Sequence, residues 1–492
     1  MSKVRESSIE MGKEEFRRVG YKLIDDISNF IESIDEKPVT TNETPGELQN
    51  KILGNAPLPE EGKSVSELFS STTDLLFQHS LLNGHPKFLG YITSSAAPIG
   101  ALADLLAASV NPNVGAQILS PIATEIEKQT IRWLSEFIGV SPVYGGLLVS
   151  GGNMANFTAF LAARTAKSPK AIKEDGIQNS PNRLTVYCSK TTHTWIEKAV
   201  ISFGLGTKSI RWIPTDDFNK MDNKALESTI ELDLKNHFIP IMVVGTAGDV
   251  STGAVDDLIG ISAICKKFDL WFHIDGAYGA PAAVIPKYKP LFEGIREADS
   301  IALDPHKWLY APLEAGCTLI KNPQHLLDTY SSHPEYYNFD RSGKEKTQNF
   351  YEYGLQNSRG FRALKVWLSL QQVGRSGYEK LIGEDIELSE MLFELAKKHP
   401  ELEAVSQSLS ITTFRYNPGS TEYSGNLNML NENLLNELQT GGQVFLSNAI
   451  VNDKYCLRAC IVNFRTSQSD IEEIIELVVK LGRKISLRIS QT

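Results

Sequence analysis

The chain has 492 residues, 41% hydrophobic and 22% charged, the proportions of an ordinary globular protein with room for roughly two to four domains. Its formal net charge of −10 argues against a phosphate-backbone binder, which would show a basic face, so no nucleic-acid partner is expected. Five scattered cysteines (Cys188, Cys265, Cys317, Cys456 and Cys460) form no CxxC pair and no zinc spacing, MSKVRESSIEMGKEEF holds no apolar leader, and no window approaches ~20 consecutive apolar residues; a reduced, cytoplasmic chain with no metal and no membrane association is expected.

In chain order, Phe16, Val19, Leu23, Ile27, Phe30, Ile31 and Ile34 recur at three- and four-residue steps, which predicts an amphipathic helix over 13–34. That stripe needs a surface to lie on, either the chain's own body or a second subunit. DEKPVTTNETPGEL follows as a connector rich in turn formers. From about 95 to 320, short apolar runs alternate with amphipathic stretches. Strands are predicted at 145–150, 184–189, 239–245, 270–275, 300–303 and 317–320, with helices at 153–166, 194–203 and 256–268. Such alternation implies an α/β fold with a mostly parallel sheet covered on both faces. Ligands of such sheets sit at the carboxyl ends of strands, so the loops there are the places to search. Residues 321–358 are polar, with scattered tyrosines and little periodicity; loops of that length are uncommon unless functional or disordered. After about 378 come helix, strand, helix, two strands (442–450 and 454–464) and a last helix (469–484), a small α+β unit.

Four motifs fall after these strands. In ALDPHKWLYAP, Lys307 lies between His306 and Trp308; apolar company disfavours an ammonium and makes the amine a usable nucleophile for carbonyl compounds, although a loop lysine can also simply reach solvent. In LWFHIDGAYGAP, Asp275 ends an apolar strand, where a carboxylate needs a cation or donors to stay ionised; it could pair with a protonated pyridine nitrogen or merely cap the next turn. In LLVSGGNMANFTAFLAART, a strand ends at Ser150 and a helix starts after two glycines, leaving backbone N–H groups free to cradle a phosphate. It matches neither GxGxxG nor the P-loop, which sets dinucleotide and ATP binding aside. In CSKTTHTWIEKA, His193 opens a helix and could stack on a flat ring or cap that helix. Thr246 is a further polar residue at a strand end. A phosphate cradle, an imidazole, an acid and an amine on one sheet together point to pyridoxal phosphate.

DPHKW with HIDGAYG resembles the group II pyridoxal-dependent amino-acid decarboxylases. The likeness runs nearly the whole length, from EEFRRVGYKLIDDISNFIESI through HPKFLGYITS and LSPIATEIE to LQNSRGFRALKVW and KYCLRACIVNFRT, and is nearest to the aromatic and histidine branch. The resemblance implies the fold type I, aspartate-aminotransferase-like architecture. It implies an N-terminal dimerisation segment (1–90), a large cofactor-binding domain (91–377) with a mobile catalytic loop at 328–353, and a small C-terminal domain (378–492). By the same resemblance Lys307 bonds the cofactor, Asp275 pairs with its ring nitrogen, and His193 and Ala277 lie on the two ring faces. Gly152, Asn153, Met154 and Thr246 hold the phosphate with His306 nearby, and Tyr336 of HPEYY protonates the substrate carbon. Substrate-pocket positions fall on Asn83, Tyr91, Ile92, Ser94 and Ser358. Animal aromatic decarboxylases carry aromatic side chains where this chain has Asn83 and Ile92. The implied activity is decarboxylation of an L-amino acid, an aromatic one first, by a homodimer with active sites at the subunit interface. Open beside it are a small acidic or aliphatic substrate, an aldehyde-forming oxidative deaminase of the same fold, and a catalytically silent cofactor-binding protein.

Overall fold

The six predicted apolar runs and one further strand form one sheet in the computed structural model, which describes residues 7, 9–169, 172–332, 347–419 and 425–490. Its strands are β1 (Gly145–Val149), β2 (Leu184–Ser189), β3 (Ile210–Ile213), β4 (Ile239–Thr246), β5 (Trp271–Asp275), β6 (Ser300–Leu303) and β7 (Gly316–Ile320). They lie side by side in the order β1-β7-β6-β5-β4-β2-β3. Strands β2 to β6 pair in parallel, and their residues are almost all buried, as expected of strands covered by helices on both faces. β7 is the exception, antiparallel to both β1 and β6. The β6–β7 link, 304–315, contains no helix, so the chain has no crossover on which to come round and turns straight back instead. That link carries the lysine motif.

β3 is the strand that periodicity misses. IRWI is four residues long with Arg211 in the middle, and Trp212 is 39% exposed, because the strand lies at the sheet edge. The expected helices form at Gly152–Lys167, Trp195–Ser202 and Leu258–Phe268. The last starts where the Asp257 carboxylate accepts the Gly260 N–H.

A second sheet contains β8 (Leu402–Ser408), β9 (Ile411–Tyr416), β10 (Ser447–Val451) and β11 (Lys454–Cys460), all antiparallel in the order β10-β11-β9-β8. One strand was expected before residue 427; a hairpin stands there, its half-exposed first strand LEAVSQS too polar to register as an apolar run. The helix Ala363–Lys398 connects the two sheets and is broken by Gly374, at φ 67°. Near the other end of the chain, Leu89 donates its N–H to the Phe445 carbonyl, so the segment before the large sheet is stitched to the small one. Part of the N-terminal stripe lies on its own chain: helix Lys13–Glu32 packs on helix Val65–His79, with Phe30 and Phe77 stacked at 4.3 Å, while Phe16 stands 59% exposed.

A buried ion pair fixes the strand that leads into the glycine turn. Glu127 accepts the Leu148 N–H of β1 at 2.9 Å, and Arg359, paired with Glu127, donates to the Leu148 and Val114 carbonyls. Glu127 and Arg359 are 0% and 3% exposed. Among its described residues, the polar stretch 321–358 contains the helix Gln324–Tyr330 and one 3-10 turn, Phe350–Glu352. Tyr336 and most of the expected 328–353 loop lie outside the described residues. All five cysteines are buried and unpaired. Among the described residues no helix is long and apolar enough to cross a membrane.

Candidate active site

The carboxyl ends of β1, β4, β5 and β6 open on a single cavity of about 310 Å³, at the lower end of the roughly 300–1,000 Å³ common for small-ligand sites. It is lined by Gly152, Asn153, Met154, His193, Thr246, Asp275, Ala277, His306 and Lys307. Every expected cofactor-contacting residue therefore faces one space. The five substrate-pocket positions do not gather so tightly. Ile92 lines this cavity, whereas Asn83 and Ser94 line an adjoining, mostly apolar cavity of about 460 Å³ that shares His306 and Leu313 with it. Tyr91 is 58% exposed and held at φ 53°, its carbonyl accepting from buried Arg458; Ser358 is exposed.

The glycine turn is built to admit something. Gly151 has φ 143°, a conformation closed to side-chain-bearing residues, and caps the helix Gly152–Lys167 with no side chain. The N–H groups of Gly152, Asn153 and Met154 thus begin a helix with no intrahelical partner, beside its positive dipole end. A Cβ on Gly152 would come within 2.6 Å of Asp304 Oδ2 and 3.3 Å of Ala277 Cβ, so only glycine leaves this corner open. The Thr246 hydroxyl, lining the same cavity, is buried with no hydrogen-bond partner among the described residues. Its own backbone is pinned, the Thr246 N–H donating to Asp256 at 2.8 Å, and burial pushes that carboxyl up to about 6.

Lys307 lies in the β6–β7 link with Nζ 3.1 Å from Asp304 Oδ2, and His306 Nε2 is 3.9 Å from the same oxygen. Asp304 is 1% exposed and its Oδ1 has no partner among the described residues. The link is clamped from behind: Trp308 and Tyr310 donate to Asp385 Oδ2 at 2.9 and 2.7 Å, and Trp308 stacks on Tyr278 at 4.9 Å. Asp275, at the end of β5, accepts from Trp195 Nε1 at 2.8 Å, Asn156 Nδ2 at 3.4 Å and the Ala277 N–H at 3.2 Å. His193 stands at the cavity mouth with Nδ1 accepting the Trp195 N–H at 3.3 Å. Desolvation along the cavity wall holds its pKa below the ordinary imidazole value, against the opposing pull of Asp275. His306, desolvated beside Lys307, is lowered too.

Three residues of this arrangement escaped the motif reading. Asp304 sits inside DPHKW, three residues before the lysine, and its spacing could have flagged it. Asn156 and Trp195 could not be flagged, being 119 and 80 residues from Asp275, the group they serve.

Residues 45–417 match the family model described as "Pyridoxal-dependent decarboxylase conserved domain". The chain belongs to this family. It is 34% identical over 481 residues, covering 98% of both chains, to a protein of Bacillus atrophaeus named aromatic-L-amino-acid decarboxylase. A phenylacetaldehyde synthase of Petunia hybrida is 28% identical, with 91% of this chain and 90% of that one covered. Among solved structures, Catharanthus roseus tryptophan decarboxylase in complex with L-tryptophan superposes with a TM-score of 0.87 at 25% identity, covering 97% of this chain and 100% of that one. The family cofactor, pyridoxal phosphate, suits what the cavity offers. The uncapped helix start and the orphaned Thr246 hydroxyl are donors for a phosphate, Lys307 is an amine for an aldehyde, and Asp275 is an acid for a ring nitrogen. The chain is a pyridoxal-phosphate-dependent amino-acid decarboxylase of the α/β class, with a mostly parallel sheet and a small antiparallel one.

Proposed function

We propose that the protein removes carbon dioxide from an aromatic L-amino acid and releases the corresponding amine. The observation that carries this reading is the convergence of Lys307, Asp275, His193 and the glycine turn on one cavity. Apolar walls, from Ile92, Val250 and Leu313 here to the adjoining cavity, favour a large apolar side chain over an acidic one. The Bacillus atrophaeus relative supports the same substrate class.

Pyridoxal phosphate, when bound, withdraws the electron pair that departing carbon dioxide leaves on the α-carbon. The chain's own groups do the rest. Lys307 would hold the cofactor by its amine. Asp304, beside Lys307, steadies the ammonium whenever that amine is free. Asp275 keeps a proton on the ring nitrogen. Gly152, Asn153, Met154 and Thr246 would hold the phosphate, with His306 nearby. His193 and Ala277 form the walls against which the ring rests. Tyr336 returns a proton to the α-carbon, a role that rests on its place in HPEYY. Asn83, Tyr91, Ile92, Ser94 and Ser358 shape the substrate end.

The chain is divided as 1–90, 91–377 and 378–492, a division supported by the helix break at Gly374. It works as a homodimer, which is supported by Leu102, Leu105, Leu106 and Val110 standing exposed along the helix Pro98–Val110. A cytoplasmic location is part of the same proposal.

The test is a screen of the amino acids for carbon dioxide release, with oxygen uptake followed in parallel. Aromatic substrates giving amine and carbon dioxide in equal amounts, without oxygen uptake, are expected. Turnover confined to acidic or aliphatic substrates would refute the substrate class, and stoichiometric oxygen uptake with aldehyde would refute the reaction. Borohydride reduction of the cofactor-loaded protein should fix the label on Lys307, and a label on another lysine would refute that assignment.

A further inference from the structure

Asp275 is the terminus of a buried hydrogen-bond chain whose protons all point one way. Trp271 Nε1 donates to Ser300 Oγ at 2.7 Å, and Ser300 Oγ lies 2.8 Å from His273 Nδ1. His273 Nε2 is 2.7 Å from Asn156 Oδ1, and Asn156 Nδ2 faces Asp275 Oδ2. Since an amide oxygen only accepts, His273 must carry its proton on Nε2, so Nδ1 accepts from Ser300, whose oxygen accepts from Trp271. A neutral imidazole is what this needs, and total burial pushes His273 down to about 4. From the opposite side, the fully buried Trp195 places its N–H on the same carboxylate oxygen at 2.8 Å, the shorter of the two side-chain contacts. Among the described residues, Asp275 Oδ1 has only the 3.2 Å backbone contact from Ala277.

We propose that Trp195 is a positioning residue that acts through Asp275: its indole N–H, together with the Asn156 chain, occupies Oδ2 and holds the carboxylate so that the proton stays on the cofactor's ring nitrogen. The inference rests on the proposed pairing of Asp275 with that nitrogen. Its physical basis is that a donor to an ionised carboxylate stabilises the anion over the acid. A single proton shared between Asp275 and a pyridine nitrogen therefore lies further toward nitrogen when Oδ2 is occupied by two N–H groups. Take one away, and the proton moves toward the oxygen. Indole has no acceptor with which to reverse the polarity, and with no exposed surface it has no water to substitute for it. Trp195 also links the two sides of the site, since its backbone N–H meets His193 Nδ1.

The experiment loads the wild type, Trp195→Phe and Asp275→Asn with ring-¹⁵N pyridoxal phosphate and reads the ring-nitrogen chemical shift by solid-state NMR, with kcat and KM measured alongside. The wild type is expected at the protonated value. Trp195→Phe, which keeps the aromatic bulk and deletes the donor, is expected to move toward the unprotonated value. Its kcat should fall about tenfold, the effect of one lost hydrogen bond to a charged group, with KM within about twofold. A Trp195→Phe shift equal to wild type overturns the proposal, because a purely structural tryptophan would alter stability and leave the nitrogen untouched. If Trp195→Phe does not fold, Asn156→Leu removes the other donor on the same oxygen and must move the shift in the same direction; no movement there overturns the proposal equally. Asp275→Asn separates the two levels: a protonated shift in that variant overturns the Asp275 pairing itself, whereas a change there with none in Trp195→Phe overturns only the role of Trp195.

Discussion

Asp385 turns the clamp behind Lys307 into a pH-dependent liability that can be measured. The carboxyl is 2% exposed, and burial raises its pKa from 3.8 to about 7 despite donors from Tyr310, Trp308 and the Asn463 backbone. Because the folded-state pKa lies above the unfolded one, folding favours the protonated acid. Its contribution to stability is complete below about pH 4 and is lost as pH rises through 7. The three-unit gap amounts to roughly 4 kcal/mol at high pH, of which roughly 2–3 kcal/mol accrues between pH 5 and 8. Asp385→Asn keeps an oxygen for Trp308 and Tyr310 but sets an amide against the Asn463 N–H, a cost of about 1–3 kcal/mol that does not vary with pH. Urea denaturation of the cofactor-free protein at pH 5 and pH 8 isolates the ionisation. The stability of Asp385→Asn relative to wild type should improve by on the order of 2–3 kcal/mol over that interval. A difference that stays constant with pH, or worsens as pH rises, would refute the assignment of a buried acid titrating near neutrality.

Three further outcomes follow from the geometry. Glu127→Ala leaves the Arg359 guanidinium buried without its counter-ion and should cost about 3–5 kcal/mol in denaturant unfolding; a loss under 1 kcal/mol would mean water reaches the pair. Gly152→Ala drives a methyl group to within 2.6 Å of Asp304 Oδ2 and into the mouth of the cradle, so affinity for pyridoxal phosphate, titrated into the cofactor-free protein, should fall at least about tenfold while the circular dichroism spectrum is unchanged. Unaltered affinity would remove the glycine turn from the phosphate site. Tyr336→Phe should slow amine release and raise oxygen-dependent aldehyde formation; amine production at the wild-type rate would end the case for that tyrosine as the proton donor.

How much of this was legible in the chain depended on where each residue's partner lies. Six of the seven strands of the large sheet were visible because buried parallel strands are written as continuous apolar runs, and β3 was not because an edge strand has one wet side. The reversed β7 escaped for a related reason: an apolar pentapeptide has the same pattern in either direction, and only the missing helix in 304–315 distinguishes them. Lys307, Asp275, His193 and the glycine turn could be read because each sits at or shortly after a strand's carboxyl end, where an α/β sheet presents its ligands.

The groups that tune those residues belong to a different class. Asp385 meets Trp308 from 77 residues away, and Trp195 meets Asp275 from 80. In the sequence, the first is one acid among several on a long helix and the second one aromatic in a helix start. Local patterning assigns both to bulk surface or bulk core, since a side chain's chemistry here is set by the atom it faces and not by its neighbours in the chain. The consequence is a division of information. The cofactor-contacting set is encoded in short motifs, because its members all sit at strand ends, whereas the proton inventory of the site is encoded in long-range pairs. Two chains could therefore share DPHKW and HIDGAYG and still hold the ring proton differently, if one lacked the indole at position 195. Substrate choice could stay the same while the turnover rate changed, so motif identity alone constrains what reaction is catalysed far more tightly than how fast it runs.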